Sequence, residues 1–440
     1  MPNEILYVIE ILKSFSHKAY VVGGSVRDFY LNKEPYDFDI TTSARPEEIK
    51  SIFGSLVLST VGEKFGTIVL RINSYDIEIT TFRIESAYEE NRKPKEVIFT
   101  NSLKEDLKRR DFTINAMAYN KDEGLIDLFN GKKDIEDKII RTVGNPKDRI
   151  NEDALRILRA IRLSGQLDFK IEENLYKEII ENRYLLEKLS KERIKSELDK
   201  VLMSDKPSIA LSVMADTKVL EVILPSLYKT LGFNQHSPYH SKLLFEHILC
   251  VVDNVDKKLN LRYAALFHDI EKVNTLEIDK DGVGHFYGHD ELGAKRAELV
   301  LKSYNTSKDD IKVVYALVKE HMKAHNEMTD KALRRQIRKV GKENILDLYS
   351  LMIADRICTI DGRDILFLEE RKERIKELLC ESTSQDKFLN ITGKDIMSLG
   401  FDEGKIVGEI LKYLEEKVLD DPSLNRKDLL IDLAVEKYRS

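Results

Sequence analysis

At 440 residues, with 42% hydrophobic and 34% charged side chains, the chain is too long for a single core and too apolar to be disordered. Its net charge of −6 excludes a uniformly basic nucleic-acid binder but leaves room for a local basic face. Three widely separated cysteines (Cys250, Cys358 and Cys380) show neither metal-ligand spacing nor a disulfide framework, which predicts a reducing compartment. The start, Met-Pro-Asn-Glu-Ile-Leu, lacks the basic and apolar segments of a signal peptide, and no apolar run approaches a membrane span. A cytoplasmic protein with no membrane partner is expected.

Residues 3–15 have the spacing of a short amphipathic helix. Residues 19–22 read as a strand entering Gly23-Gly24-Ser25-Val26-Arg27-Asp28, with a helix over 26–31. Residues 37–41 read as a strand, so Asp37 and Asp39 aim at one spot. A lone Asp-x-Asp is ordinarily a solvated loop, but the glycine turn and Arg27 upstream reverse that. Two carboxylates held together repel unless a cation lies between them, and Mg²⁺ takes one or two carboxylates plus substrate phosphates. Glycines ahead of a helix let N–H groups approach a polyphosphate. The combination predicts a Mg²⁺-dependent nucleoside triphosphate site, able to activate a hydroxyl and stabilise leaving pyrophosphate.

Residues 67–72 and 75–82 alternate as a hairpin around Asn73-Ser74. Asp76 and Glu78 are both candidates for a third metal carboxylate, with Glu78 the choice. Another strand is expected near 97–100. Arg109-Arg110-Asp111 then leads into Phe112-Thr113-Ile114-Asn115, and two cations with an acid suit a phosphate and a ribose hydroxyl. Strands are expected to end near residue 145.

A helix is expected over 152–164, with Arg156, Arg159 and Arg162 between its apolar positions. Asp153 and Arg156, three apart, would share a face, with Glu152 holding the guanidinium. Cytosine and adenine each offer an amino donor beside a ring-nitrogen acceptor, whereas uracil and guanine present the reverse. Such a pair would accept C and A and reject U and G. The competing reading is a surface ion pair. Further helices follow over 171–204, and turn formers over 234–239 mark a boundary. Eight of the nine histidines lie between His236 and His325. The ordered set His247, His268, Asp269, His289, His321 and Asp355 suits a divalent transition metal with a hydrolytic water. His285 and His325 are expected at the surface or behind the ligands. From 375 a helical tail runs to the end, and neither a repeat nor a low-complexity segment is visible.

Together these motifs resemble the class II tRNA nucleotidyltransferases, the CCA-adding enzymes, and the related bacterial poly(A) polymerases. The resemblance rests on Gly23–Asp28, Asp37-Phe38-Asp39, Thr81-Phe82-Arg83-Ile84-Glu85, Arg109–Ala116 and Glu152-Asp153-Ala154-Leu155-Arg156, and resumes at Ile391-Thr392-Gly393-Lys394-Asp395. It implies an α+β chain with a polymerase-β-like head (1–145), a helical neck (146–235), a helical body (236–370) and a tail (371–440). It implies metal binding by Asp37 and Asp39 with Glu78. The expected nucleotide-binding set is Gly23, Gly24, Ser25, Arg27, Arg110, Asp111, Asn115, Glu152, Asp153, Arg156, Arg159 and Arg162. CTP, ATP and the acceptor and T arms of tRNA would be the partners. Members that add the final A carry a flexible loop matching residues 83–94 here, with Glu90 and Lys93 departing from the usual residues, so full CCA or A addition is expected over CC alone. Poly(A) synthesis is the alternative.

The histidine order resembles the HD phosphohydrolase superfamily, implying hydrolysis at nucleotide or RNA ends. Glu271 stands where that superfamily commonly has glycine, so it could coordinate the metal, or the fold could be retained without turnover. The body is a plausible dimer surface.

Overall fold

The computed structural model describes residues 1–35, 37–85, 88–89, 93–94, 97–237, 242–323, 328–359, 365–381 and 389–438. The chain forms two compact units, Met1–Leu231 with Ser303–Asn305, and Gly232–Lys302 with Thr306–Ser440. The expected divisions at 145/146 and 370/371 therefore fall inside units.

The first unit opens with α1 (Asn3–Ser14), whose Ile5, Val8, Ile9 and Leu12 recur at helical spacing and are buried. It continues through β1 (Ala19–Val22), α2 (Gly24–Tyr30), β2 (Phe38–Thr42), α3 (Pro46–Phe53), β3 (Val57–Ser59), β4 (Thr67–Ile72) and β5 (Tyr75–Thr81). Short strands β6 (Arg83–Glu85), β7 (Tyr88–Glu89), β8 (Lys93–Pro94) and β9 (Val97–Phe99) pair as β6–β9 and β7–β8. The expected loop is thus partly strand, and Glu90 lies outside the described residues. After these come α4 (Leu103–Lys108), β10 (Met117–Asn120), β11 (Gly124–Asp127), α5 (Gly131–Glu136) and β12 (Ile139–Ile140).

Seven strands make one sheet in the order β11-β10-β1-β2-β5-β4-β3. β2 and β5 are parallel and the other neighbours antiparallel, so the sheet is mixed. Along β5, Ile77, Ile79 and Thr81 are buried, which leaves Asp76, Glu78 and Thr80 on the other face. The β4–β5 turn uses Asn73 at φ 52°, a left-handed conformation asparagine tolerates. Tyr20, Val22, Phe82, Leu107 and Ala118 form a core cluster against the sheet.

The unit ends in α6 (Pro146–Glu152), α7 (Leu155–Leu167), β13 (Lys170–Ile171), α8 (Glu173–Asn182), α9 (Lys191–Leu202), α10 (Pro207–Asp216), α11 (Val219–Ile223) and α12 (Pro225–Tyr228). Two expectations are corrected here. The single helix over 152–164 breaks at Asp153, where φ is −146° and ψ 104°. Its carboxylate accepts from the Leu155 N–H at 3.0 Å, the backbone competition that makes Asp a cap. Asp153 and Arg156 therefore do not share a face of one continuous helix. Nor do strands end at 145, because β13 pairs in parallel with β12.

The second unit holds α13 (Leu244–Asn254), α14 (Leu259–Phe267), α15 (Lys272–Thr275), β14 (Leu276–Ile278), β15 (Gly284–Phe286), α16 (His289–Ser303), α17 (Lys308–Glu320), α18 (Asp330–Val340), α19 (Ile345–Ile357) and α20 (Leu366–Glu381). The β14–β15 hairpin interrupts a block read as helical, and its turn uses Gly282 at φ 81°. Beyond it lie α21 (Gly393–Ser398), α22 (Lys405–Asp420) and α23 (Lys427–Tyr438), packed on a core that includes Ile396, Ile410, Leu414 and Leu430. The Ile391–Asp395 motif is a capping box: Thr392 N–H donates to Asp395 at 2.8 Å and the Thr392 hydroxyl accepts from Asp395 N–H. A further correction concerns the cysteines. Cys250 and Cys358 form a disulfide across 108 residues, because α13 packs on α19, and Cys380 is left free. Among the described residues no helix is long and apolar enough to cross a membrane.

Candidate active site and metal cluster

Gly23 precedes α2 with φ 78°. A Cβ there would lie 3.2 Å from Arg110 Nη1 and 3.4 Å from Asp39 Oδ2. Glycine suits the backbone angle, and a side chain there would press on the Arg110 guanidinium. The glycine turn, Arg110 and the β2 carboxylate thus meet at one point.

The parallel β2–β5 register sets Asp39 opposite Glu78, and paired residues point to the same face. Asp37 lies exposed just before β2. Burial raises the Asp39 carboxyl against the pull of Arg110, and Asp37 adds to the rise. Burial also raises Glu78, with the charges of Asp39 and Asp37 adding to it. This like-charge cost is what a divalent cation offsets, and an all-oxygen donor set fits a hard one. Asp76, the rival candidate, is held by Arg71 at 2.5 and 2.6 Å on the exposed surface.

A line of polar contacts runs from α2 to α7. Arg27 donates to Asp28 and to Asn115 Oδ1, each at 2.8 Å, and Asn115 donates to Asp111 Oδ1 at 3.2 Å. Arg159 grips Asp111 Oδ2 through Nε at 2.8 Å and Nη2 at 2.5 Å. Burial alone would raise Asp111, but Arg159, the Phe112 N–H and Asn115 bring it down to about 2. Ser25 is buried, its hydroxyl donating to the Val22 carbonyl at 3.1 Å.

Sequence reasoning missed Asp106. This buried carboxylate accepts from Thr41 and Arg109, both at 2.9 Å, and lies 3.8 Å from Arg110. Burial opposes its charge, yet Arg109 and Arg110 hold it below the usual carboxylate range. Its i,i+3 and i,i+4 spacing to the two arginines was the available signal.

On the helical side, Glu152 Oε2 accepts from Arg156 at 2.6 Å and lies 3.1 Å from Arg149. Arg156 is buried and also donates to the Arg149 carbonyl at 2.9 Å. Asp153 Oδ2 accepts from Arg193 of α9 at 2.8 Å. Arg162 donates to buried Glu197 of α9 at 2.6 Å, a partner outside the Arg27–Arg159 line.

In the second unit the six expected ligands converge. His247, His268, Asp269 and Asp355 bring ligand atoms within 4.8 Å of one another, as do Asp269, His289 and His321, with Asp269 common to both groups. His268, His289 and His321 donate their Nδ1–H to the carbonyls of Ala265 (2.8 Å), Phe286 (2.5 Å) and Val318 (2.6 Å). That turns each Nε2 inward. Among the described residues the buried Nε2 atoms of His289 and His321 have no hydrogen-bond partner, and they face Asp269 Oδ1 at 3.4 and 3.7 Å. A lone pair facing a carboxylate is repulsive unless a cation lies between, and imidazoles anchored through the far nitrogen are the usual form of metal ligands. Burial opposes charge on His268, but Asp269 and Asp355 raise it to about 10. A proton there offsets the two carboxylates, a role a metal cation can take over.

Lys272, also missed, lies 2.6 Å from Asp269 Oδ2 and donates to Gln235 at 3.2 Å. Glu271 does not join the ligands: its carboxylate accepts from Arg296 and Asn274, each at 2.6 Å, so its suggested coordination is corrected. His285 pairs with Asp279 at 2.8 Å outside the cluster, and His325 lies outside the described residues.

Comparison with known proteins adds three family-model matches. The Poly A polymerase head domain matches residues 19–141, the probable RNA and SrmB-binding site of polymerase A matches 168–230, and the putative tRNA nucleotidyltransferase domain 2 matches 289–434. A CCA-adding enzyme of Ligilactobacillus salivarius is 35% identical over 445 residues, covering 99% of this chain and 97% of the relative. Its counterpart in Enterococcus faecalis is 34% identical over 447 residues, covering 100% and 98%. The crystal structure of the Bacillus stearothermophilus CCA-adding enzyme in complex with CTP is similar at a TM-score of 0.74 and 27% identity, covering 99% of this chain and 97% of that one.

Proposed function

The chain belongs to the family of CCA-adding enzymes, which are nucleotidyltransferases, and we propose that it builds or repairs the CCA end of tRNA from CTP and ATP with Mg²⁺. The observation that carries this reading is the register of Asp39 with Glu78 beside the Gly23 turn and Arg110. Asp37, Asp39 and Glu78 are assigned to Mg²⁺, which when bound offsets triphosphate charge and eases loss of the proton from an attacking 3′-hydroxyl. The remaining roles fall to the chain's own groups. The Gly23, Gly24 and Ser25 backbone, Arg27 and Arg110 take the triphosphate. Asp111, kept ionised by Arg159, accepts from a ribose hydroxyl, and Asn115 ties it to Arg27. Arg156, held by Glu152, donates to the base, while Asp153 exchanges Arg193 for the amino group of C or A.

RNA is held by shape and backbone contacts, so its affinity falls with salt. Such a substrate places the work in the cytoplasm. Addition of A alone, or of a long A tail, would use the same head, and product length separates these. The full-length relatives favour CCA. Base choice is tested by single-nucleotide extension. Replacing Asp153 and Arg156 together with alanine is expected to admit UTP and GTP, and strict C/A selection in that variant would overturn the template assignment.

The converging histidines favour a second activity on the same chain. His247, His268, Asp269, His289, His321 and Asp355 are assigned to a divalent transition metal that supplies a hydrolytic water for phosphate esters at nucleotide or RNA ends. Asp269→Ala is expected to remove that hydrolysis while leaving nucleotide addition intact. Loss of both, in a folded variant, would contradict it.

A further inference from the structure

Two helices of the second unit each carry a metal-site residue and a cysteine one turn apart. His247 and Cys250 are three positions apart on α13, and Asp355 and Cys358 three positions apart at the end of α19. That spacing puts both members of each pair on one helix face. The helices are accordingly bridged twice, by the 3.0 Å contact of His247 Nε2 with Asp355 Oδ1 and, one turn along, by the Cys250–Cys358 disulfide. Lys242 Nζ lies 3.3 Å from Cys250 Sγ and donates to the Cys358 carbonyl at 3.4 Å. A cation beside sulfur favours the thiolate and hence exchange. Cys250 is partly exposed, within reach of a small reagent, and Cys358 is buried.

We propose that Cys250 and Cys358 are a reversible redox-modification site whose disulfide tightens the metal cluster by strapping His247 to Asp355. The proposal rests on the metal reading of that cluster. In the closing step the Cys250 thiolate attacks a low-molecular-weight disulfide and expels one thiolate. Cys358 then attacks the mixed disulfide and expels the second. Two protein thiols are oxidised, one small disulfide is reduced to two thiols, and the two cysteine protons end on those thiols. A small dithiol reverses the exchange. With the strap closed, two ligands are apposed before the cation arrives, so less ordering remains to be done on binding.

The test uses the full chain carrying Asp39→Asn, which removes the head carboxylate site, prepared oxidised with glutathione disulfide or reduced and desalted. Thiol titration should find at most one free cysteine in the first state (exposed Cys380, which glutathione disulfide can itself cap) and three in the second. Co²⁺ alone is then titrated and followed by its visible absorption. The oxidised protein is expected to bind about 10-fold more tightly, the size of effect that groups supporting metal ligands usually have. The Cys250→Ser/Cys358→Ser variant should show the weaker affinity under both conditions. Equal affinity in the two states overturns the strap while leaving the metal reading standing. Absence of a Co²⁺ spectrum in either state overturns the metal reading, and the strap with it.

Discussion

Asp111 carries more of the head's internal balance than its place in a short basic motif implies. Its folded-state value of about 2 lies below the ordinary carboxylate value of about 3.9, because Arg159, a backbone N–H and Asn115 outweigh burial. A depressed acid contributes stability that is present above its unfolded value and lost as pH falls through the folded one. About 2 to 3 kcal/mol should therefore disappear between roughly pH 5 and pH 1. Asp111→Asn leaves Arg159 without its carboxylate and should cost about 3 kcal/mol at neutral pH. Denaturant melts should show the variant and the parent converging as pH falls through that window; a constant gap would refute the pairing. Glu271 invites a second substitution. Since Arg296 and Asn274 occupy its carboxylate, Glu271→Ala should lower stability by about 1–3 kcal/mol. Its Co²⁺ stoichiometry should not change, and loss of a metal equivalent would make it a ligand after all.

At the scale of elements, α7 approaches α10 through Gly165, where an added Cβ would lie 2.8 Å from Ala210 Cβ and 3.0 Å from its backbone nitrogen. Helix propensity favours Gly165→Ala by about 1 kcal/mol. Overpacking against backbone that cannot retreat costs about 1–3 kcal/mol. The clash should win, giving a lower melting temperature, and a higher one would mean the helices are not so close. The elements also divide into those legible in the sequence and those not. The β4–β5 hairpin announced itself by alternation around Asn73, and β2 by the Asp37 and Asp39 pair at its start. The break at Asp153 was hidden because the apolar spacing runs on through it, and only the capping chemistry of Asp interrupts the helix. The β12–β13 pair was hidden because two-residue strands carry no period. The disulfide depends on α13 meeting α19, which no spacing along the chain records. Asp106 and Lys272 could have been found, since each stands one helical turn from the charges it serves.

For the molecule as a whole, two compact units each hold a cluster of acidic or imidazole donors, and each cluster closes within its own unit. Nucleotide addition and metal capture by the histidines should separate cleanly. Asp37→Ala should lower addition by roughly 10³-fold or more, as loss of charge neutralisation does in phosphoryl transfer. It should leave Co²⁺ binding at the histidines unchanged. Both clusters were legible as residue types in order along the chain; what sequence could not supply was which atoms meet, and the inward-facing Nε2 atoms and the Asp39–Glu78 register supply that. The most direct measurement of the central claim is extension of a tRNA transcript ending at its discriminator base, with Mg²⁺, CTP and ATP, resolved to single nucleotides beside Asp39→Asn. Addition of C, C and A followed by arrest, absent from the variant, is the predicted result. A long A ladder, a single A confined to transcripts already ending in CC, or no addition by a folded protein would contradict it.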